Sequence, residues 1–314
     1  MKKLFNGFLI MTIMMVILAG CSTKAPGTDK DNATEGNNAA KGEKVKIGLS
    51  ISTLNNPFFV SLKDGAEAEA KAQGAELVII DAQNDSAKQV SDIEDLIQKG
   101  ISALIVNPTD SAAVVSAIES ANSAGIPVIT VDRSAEGGDV AAHIASDNAA
   151  GGKMAGDFIL EKLGNKGKVV ELEGIPGSSA ARERGEGFHK AVDAVADINV
   201  VAKQAADFDR AKGLSVMENI LQANKDVQAV FAHNDEMALG ALEAIQSAGL
   251  KDVIVVGFDA TDDAVNAVKE GKMAATVAQK PTEIGKQGVA TAVKVVNGET
   301  VDEFIPIELE LVTK

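Results

Sequence analysis

The apolar positions of this chain fall into short, nearly continuous runs that are separated by longer stretches with helical spacing. Runs rich in Val, Ile and Leu are typical of strands that are buried on both faces of a parallel sheet. Between them, apolar residues recur every three or four positions, which predicts amphipathic helices ending near Gln73, Lys99 and Ala124. We therefore predict an α/β fold whose first strands are VKIGLSI, ELVIID, ALIVN and PVITVD.

The same pattern restarts near Gly167 and predicts a second sheet with the strands GKVVELEG, INVVAKQ, VQAVFAHN, VIVVGFDA and MAATVAQK. Asn107 and Asp132 end two predicted strands 25 residues apart, and Asn234 and Asp259 end two others at the same spacing. The two pairs are offset by 127 residues, which indicates an internal duplication. The prediction is two doubly wound parallel-sheet lobes.

The first twenty residues predict export from the cytoplasm. Lys2 and Lys3 precede an apolar run that is short for a membrane-spanning helix and ends in Leu-Ala-Gly-Cys, which is typical of a cleaved signal peptide. The order Leu-Ala-Gly-Cys resembles the bacterial lipobox, and Cys21 is the single cysteine of the chain. We expect a signal peptide over residues 1–20 and a lipidated Cys21, against the alternative of a secreted protein with a free thiol.

The composition limits the remaining classes of function. Residues 21–43 are polar, small and without periodicity, so we expect a flexible tether. The leader carries two of the 30 basic residues and none of the 45 acidic ones, so the rest of the chain has a net charge near −17. Such a charge disfavours binding to nucleic acid, which needs a basic face. With one cysteine, the fold depends on its hydrophobic core and not on disulfides.

The two Asn/Asp pairs are the first candidates for a binding site. Ligands of open α/β sheets bind outside the carboxyl ends of the strands, where Asn107, Asp132, Asn234 and Asp259 are predicted to lie. Carboxylates accept hydroxyl hydrogens, and amides both donate and accept, so the four side chains suit a small polyol. A strand-end Asn often serves only to cap the following helix. For a single residue capping is favoured, whereas the repeated pair favours binding.

Arginine and phenylalanine side chains are the second group of candidates. Arg133 follows Asp132, and Arg182 and Arg184 begin a predicted helix, where spacing alone favours a solvated face with local ion pairs. The chain has ten Phe, no Trp and no Tyr. Four Phe at strand ends are candidates for stacking on the C–H faces of a sugar, although Phe more often belongs to a core: Phe58, Phe59, Phe208 and Phe258.

Signatures of catalysis are missing from the sequence. The glycine-rich run at 174–185 lacks the lysine of a phosphate-binding loop, and Ser178 and Ser179 do not fit a nucleophile elbow. The histidines have neither metal-ligand spacing nor an adjacent acidic partner, so structural roles are expected: His143, His189 and His233. A hydrolase using two carboxylates as acid and base is the least favoured reading. We expect no enzyme activity, no metal and no cofactor.

Eight segments resemble the bacterial ribose-binding proteins of the periplasmic binding protein type I family. The resemblance covers the chain after the tether and is closest in the loops that follow strands. The segments are STLNNPFFVSLKDGA, NPTDS, VDR, HIASDN, SAARERGEGF, ADFDR, NDEMALGAL and VVGFD. The resemblance implies thirteen ligand-binding residues: Ser52, Asn56, Phe58, Phe59, Asn107, Asp132, Arg133, Arg184, Phe208, Asn234, Phe258, Asp259 and Gln279.

The resemblance also implies an architecture and a function. It implies a three-crossover hinge, with an N-terminal lobe of residues 44–146 and 280–307 and a C-terminal lobe of residues 147–279 and 308–314. The expected function is capture of D-ribose by hinge closure, with delivery to an ABC transporter permease. The alternative ligand is another monosaccharide or an autoinducer-2-like furanose. A lipid-anchored monomer outside the cell membrane is expected, with a chemoreceptor as a further candidate partner.

Overall fold

A computed structural model describes residues 44–314 of the chain, so the predicted signal peptide, Cys21 and the tether lie outside the described residues. The strands are β1 (Lys46–Ile51), β2 (Glu76–Asp81), β3 (Ala103–Val106), β4 (Val128–Val131), β5 (Ala142–Ser146), β6 (Gly167–Glu173), β7 (Ile198–Ala205), β8 (Ala229–Ala232), β9 (Ile254–Asp259), β10 (Ala275–Ala278), β11 (Phe304–Ile307) and β12 (Glu310–Thr313). The helices are α1 (Pro57–Gln73), α2 (Ser86–Gln98), α3 (Val115–Ser123), α4 (Asn148–Leu163), α5 (Ser179–Val192), α6 (Arg210–Ala223), α7 (Asp235–Ser247), α8 (Asp262–Glu270) and α9 (Pro281–Val296).

The strands form two six-stranded sheets with matching orders. The first has the order β11-β5-β4-β3-β1-β2, and all its neighbours are parallel. The second has the order β12-β10-β9-β8-β6-β7 and is parallel except where β12 runs antiparallel to β10. Each sheet is doubly wound, which confirms the predicted fold class of two parallel α/β lobes.

Alternation along the strands places a hydrophobic cluster on each face of each sheet. In the first lobe, Ile105 packs into one cluster with Leu49, whereas its neighbours Leu104 and Val106 belong to the cluster on the other face. Two further clusters cover the faces of the second sheet. Because strands such as β3 are buried along their full length, they appear in the sequence as continuous apolar runs.

The chain passes between the two sheets three times. After β5, helix α4 packs on β8, β9 and β10 of the second sheet. After β10, helix α9 returns to pack on β3, β4 and β5 of the first sheet, and after β11 the chain enters β12. The three passages agree with the number of crossings that the resemblance implies. The exact residue limits of the two lobes stay a prediction.

Three strands and one helix start differ from the sequence expectation. No strand was predicted at β5, β11 or β12, which are only four or five residues long, and β11 also contains Pro306, which is unusual inside a strand. Helix α3 begins only at Val115, because residues 107–114 form turns after β3. Among the described residues, none of the helices is both long and apolar enough to span a bilayer.

Candidate functional site

The carboxyl ends of the two sheets face each other across a small cavity. Side chains from both lobes line it, and ten of the thirteen residues implied by the resemblance are among them. Ala180, at the start of α5, was not predicted. The lining residues are Asn56, Phe58, Phe59, Asp132, Arg133, Ala180, Arg184, Phe208, Asn234, Asp259 and Gln279.

The repeated aspartates occupy equivalent places in the two lobes. Asp132 directly follows β4 and Asp259 ends β9, and each of these strands lies beside the strand that precedes the matching Asn. Both aspartates have a positive φ, 64° for Asp132 and 115° for Asp259. Such backbone conformations are unfavourable for residues with a side chain and cluster at functional sites. The duplication therefore reproduces the strained backbone as well as the residue type.

The two asparagines differ in how they are held. Asn234 caps α7, because its Oδ1 accepts a hydrogen bond from the Met237 N–H at 3.0 Å. Its Nδ2 donates to the Phe208 carbonyl oxygen at 3.2 Å, which links two loops at the cavity edge. The capping interpretation thus holds for Asn234, and the side chain still lies in the cavity wall.

Asn107 neither caps a helix nor lines the cavity. Its Oδ1 accepts from the Ser52 N–H at 3.2 Å, and its Nδ2 donates to the Val131 carbonyl at 3.1 Å and to Asp132 Oδ2 at 3.2 Å. The side chain is fully buried. Asn107 and Ser52 therefore stand behind the wall, where Asn107 fixes the position of the Asp132 carboxylate.

Aromatic rings hold Arg133 in the middle of the cleft. The guanidinium carbon lies 5.1 Å from the centroids of both Phe59, in the first lobe, and Phe208, in the second. Arg133 Nη1 donates to the Pro108 carbonyl at 3.2 Å, and Nε lies 3.6 Å from Asp132 Oδ2, too far for a hydrogen bond. Cation–π contacts suit a planar guanidinium, so this arginine contacts aromatic rings of both lobes.

Arg184 is fixed by four separate contacts in the second lobe. Its Nε donates to Asn148 Oδ1 at 2.9 Å, and its Nη1 donates to the His233 carbonyl at 2.6 Å. The guanidinium carbon lies 3.8 Å from the Phe258 ring centroid, and Nη1 lies 3.8 Å from Asp259 Oδ1. Phe258 therefore lies beneath the arginine and does not line the cavity.

Arg182, two residues earlier on the same helix, has a different environment. Its side chain is 44% exposed and pairs with Glu136 at 2.7 Å. Spacing alone favoured the solvated reading for both arginines. The structure places Arg182 at the surface and Arg184 in the cavity wall, where it is 3% exposed.

The buried charges of the cavity balance. When ionised, Asp132 and Asp259 carry two negative charges, which match the two positive charges of Arg133 and Arg184, and all four residues are less than 9% exposed. Burial lowers the pKa of Arg133 to about 10, although Asp132 opposes this. Burial raises the pKa of Asp259 well above its ordinary value, and Arg184 opposes the rise. An ionic ligand would upset this balance, so the site favours a neutral one.

Three predicted site residues carry buried polar atoms without a hydrogen-bond partner among the described residues. They are Ser52 Oγ, Arg133 Nε and Gln279 Oε1. Gln279 Nε2 donates to Asp259 Oδ1 at 2.8 Å, so the glutamine is oriented with its oxygen free. Buried polar groups in proteins are almost always paired. The unpaired donors and acceptors call for a ligand with both kinds of group.

Two of the three histidines contact a glutamate that is distant from them in the sequence. Glu171 Oε1 lies 2.9 Å from His233 Nε2, and Glu171 Oε2 lies 2.8 Å from His189 Nε2. Burial alone would raise the pKa of Glu171, but the His233 hydrogen bond and nearby positive charges lower it. Glu171 and His233 are 62 residues apart, so sequence spacing could not show the contact. Among residues 44–314, no group of His, Cys, Asp and Glu side chains is arranged to hold a metal ion.

Comparison with known proteins shows one family throughout. The model of the periplasmic binding protein domain matches residues 47–300. The ribose import binding protein of Bacillus subtilis (strain 168) is 54% identical over 314 residues, 100% of both chains. The ribose import binding protein of Salmonella typhimurium is 59% identical over 271 residues, 86% of this chain and 91% of the relative.

Among solved structures, an ABC transporter solute binding protein from Mycobacterium smegmatis with bound glycerol superposes with a TM-score of 0.83. It is 40% identical in sequence, and the match covers 86% of this chain and 94% of that one. An ABC transporter solute binding protein from Bacillus halodurans with bound myo-inositol also superposes with a TM-score of 0.83. It is 38% identical in sequence, and the match covers 88% of this chain and 96% of that one.

Proposed function

This chain belongs to the periplasmic binding protein family, and we propose that it captures D-ribose outside the cytoplasm and delivers it to an ABC transporter permease. Support for the ligand comes from two ribose import relatives that share more than half of their aligned residues with this chain. Relatives with this fold and these identities are solute-binding proteins, which supports a receptor and not a hydrolase.

The observation that carries the proposal is the set of unpaired polar atoms in a charge-balanced cavity. Ribose is neutral, and each of its hydroxyls can donate one hydrogen bond and accept others. Hydroxyl donors would satisfy Gln279 Oε1 and the Asp132 and Asp259 carboxylates, while hydroxyl oxygens would accept from Arg133 Nε. We propose that the site has thirteen residues, of which Ser52, Asn107 and Phe258 act from behind the cavity wall. The full set is Ser52, Asn56, Phe58, Phe59, Asn107, Asp132, Arg133, Arg184, Phe208, Asn234, Phe258, Asp259 and Gln279.

Aromatic rings complete the proposed site. Phe58 and Phe59 pack edge to face with centroids 5.1 Å apart on the first lobe, and Phe208 lies on the second. Ring faces on two sides suit the C–H surfaces of a furanose or pyranose ring. In this arrangement the aspartates and arginines recognise the hydroxyl pattern, whereas the rings exclude water from the cavity.

Closure of the hinge is the proposed mechanism of capture. Asp132 and Arg133 belong to the first lobe and Arg184, Asn234 and Asp259 to the second, so neither lobe alone presents the complete set of donors and acceptors. Hinge closure around a ligand is general for periplasmic binding proteins. Each hydrogen bond to a charged group contributes about 1.5–3 kcal/mol. A ligand that bridges the lobes therefore stabilises the closed form, which the permease recognises.

The anchor is the second part of the proposal. We infer that residues 1–20 are a lipoprotein signal peptide, that Cys21 carries the lipid, and that residues 21–43 tether the binding body as a monomer at the outer face of the cell membrane. The motif Leu-Ala-Gly-Cys at the end of a short apolar run supports this. A chemoreceptor that reads the same closed form is a further proposed partner.

Isothermal titration calorimetry tests the ligand. Residues 44–314 contain both sheets and their hydrophobic clusters in one compact unit, so this body serves as the sample. The absence of Trp and Tyr makes intrinsic fluorescence a poor probe. The protein is refolded from denaturant to remove bound sugar and is then titrated with D-ribose, arabinose, xylose, glucose, galactose, allose and autoinducer-2.

Saturable one-to-one heat with ribose, and weaker or no heat with the other compounds, is the expected result. Loss of that heat in Asp132→Ala, with unchanged circular dichroism, would locate binding in the cavity. Preference for another sugar would retain the receptor and overturn ribose as its ligand. The absence of heat from every compound in a folded sample would overturn the proposal.

A further inference from the structure

A group of hydrogen bonds joins the two lobes directly, beside the cavity. The Ser111 N–H donates to the Gly177 carbonyl at 2.9 Å, and the Ser179 N–H donates to Ser111 Oγ at 3.2 Å. The Ser134 N–H donates to Ser179 Oγ at 2.9 Å. The residues involved follow β3, β4 and β6, away from the three crossings of the hinge.

An ion pair completes this contact at the protein surface. Arg182 Nη2 donates to Glu136 Oε1 at 2.7 Å, and Arg182 Nη1 donates to the Gly177 carbonyl of its own lobe at 3.0 Å. Glu136 is fixed in turn, because its N–H donates to the Ser111 carbonyl at 2.9 Å. Arg182 lies at the start of α5 but does not line the cavity, so the proposed ligand site gives it no role.

We propose that these six residues form an interlobe latch that sets how tightly and how long the ligand is held, without contacting the ligand. The inference rests on the proposed function of hinged capture. The latch consists of Ser111, Ser134 and Glu136 in the first lobe and Gly177, Ser179 and Arg182 in the second. The cavity lining contains none of them.

Burial distinguishes the latch from a chance surface contact. Ser111 is fully buried and Ser179 is 3% exposed. Rotation of one lobe away from the other separates Ser134 from Ser179 and Ser111 from Gly177, so these bonds exist only in the closed form. Each buried bond therefore favours closure, whereas the exposed ion pair adds a smaller term that salt screens.

Gly177 makes the close approach of the lobes possible. A Cβ at this position would lie 2.0 Å from Asp110 Oδ2 and 2.7 Å from Asp110 Cγ, across the lobe boundary. Asp110 has little freedom to move away, because its Oδ1 accepts from the N–H groups of Ala112 at 2.9 Å and Ala113 at 2.8 Å. A methyl group at residue 177 should therefore prop the lobes apart while leaving each lobe intact.

The test measures ribose affinity by calorimetry and release by chase of radiolabelled ribose, on residues 44–314. Gly177→Ala should weaken binding by at least about tenfold, as expected when buried bonds are lost. Arg182→Ala and Glu136→Ala should each weaken it by about two- to fivefold, the range for exposed ion pairs. The variant that combines Arg182→Ala and Glu136→Ala should bind ribose no more weakly than either single variant, because both substitutions remove the same contact. Release should accelerate in parallel.

Lys168→Ala is the matched control. Lys168 pairs with Asp226 at 2.6 Å inside the second lobe, with side-chain exposures of 43% and 68% against 44% and 51% for Arg182 and Glu136. This control should leave affinity and release unchanged. All variants should unfold thermally, without ribose, within about 2 °C of the parent protein, as surface substitutions do.

The outcomes separate this inference from the function on which it rests. Normal ribose heat in the parent, together with unchanged affinity and release in Gly177→Ala and Arg182→Ala, would overturn the latch alone. A loss of affinity in Lys168→Ala equal to that in Arg182→Ala would also overturn it. The absence of ribose heat in the parent protein would overturn the ribose proposal and the latch with it.

Discussion

Replacing Asp259 by asparagine should weaken ribose binding strongly while preserving the shape of the site. The carboxylate offers two acceptor oxygens, and Gln279 Nε2 already donates to Oδ1 at 2.8 Å. In Asp259→Asn that bond can remain, but the second oxygen becomes an NH2 donor and repels a hydroxyl hydrogen. The ribose hydroxyl loses its hydrogen bond to a charged acceptor and meets a donor in its place, which costs about 3 kcal/mol, roughly 100-fold in Kd.

The same substitution should stabilise the ligand-free protein at neutral pH. Burial raises the pKa of Asp259 well above its ordinary value, against the opposing effect of Arg184, so as the pH rises the folded protein keeps the Asp259 proton after the unfolded chain has lost it. The free energy of unfolding therefore falls as the pH rises above the pKa that Asp259 has in the unfolded chain. It stops falling once the pH exceeds the pKa of Asp259 in the folded protein. Asparagine does not ionise, so Asp259→Asn avoids this loss of stability.

Calorimetry with ribose and thermal melts without it, from pH 3 to pH 8, check both parts. We expect weaker binding at pH 7 with a higher melting temperature, and a melting difference that closes at the acid end of the range. Wild-type affinity in the variant would refute the role of the carboxylate as an acceptor. A lower melting temperature than the parent at pH 7 would refute the argument from burial.

Two other contacts and the sequence motif at Cys21 give three further predictions. Arg184→Met should weaken ribose binding by more than about 100-fold in calorimetry, because it leaves Asp259 buried without its cation. Asn107→Ala should lower the free energy of unfolding in urea by about 1–3 kcal/mol and weaken binding as well, because the Ser52 N–H and Asp132 both lose a buried partner. Cys21→Ser should shift the protein from the membrane fraction to the medium and abolish labelling with palmitate, and retention at the membrane would refute the anchor.

Much of the site was predictable because the chain repeats itself. The equal spacing of Asn107 to Asp132 and of Asn234 to Asp259 placed all four residues at strand ends before the resemblance was considered. Spacing along the chain carries this information, since matching strands of a duplicated sheet occupy matching places. The apolar runs likewise predicted the central strands, which are buried on both faces.

What the sequence could not show depends on packing between distant segments. Residues two apart on a helix lie on different sides of it, so one of Arg182 and Arg184 had to face outward, and spacing alone did not tell which. The choice is made where α5 packs against α4, with Asn148 of α4 bonded to Arg184. The contact of Glu171 with His233 and the position of Asn107 behind Asp132 depend on strand order in the same way.

In the proposed mechanism, separate residues control two properties of capture, namely selectivity and the rate of release. The cavity determines which ligand closes the protein, because its unpaired donors and acceptors must all be met by one molecule. The latch lies outside the cavity and contributes equally to every closed form, whatever the ligand. Substitutions in the latch should therefore lower the affinity for every sugar by the same factor. Substitutions in the cavity should instead change the order in which the protein prefers the sugars. A receptor built in this way can have its release rate adjusted to the permease without losing selectivity.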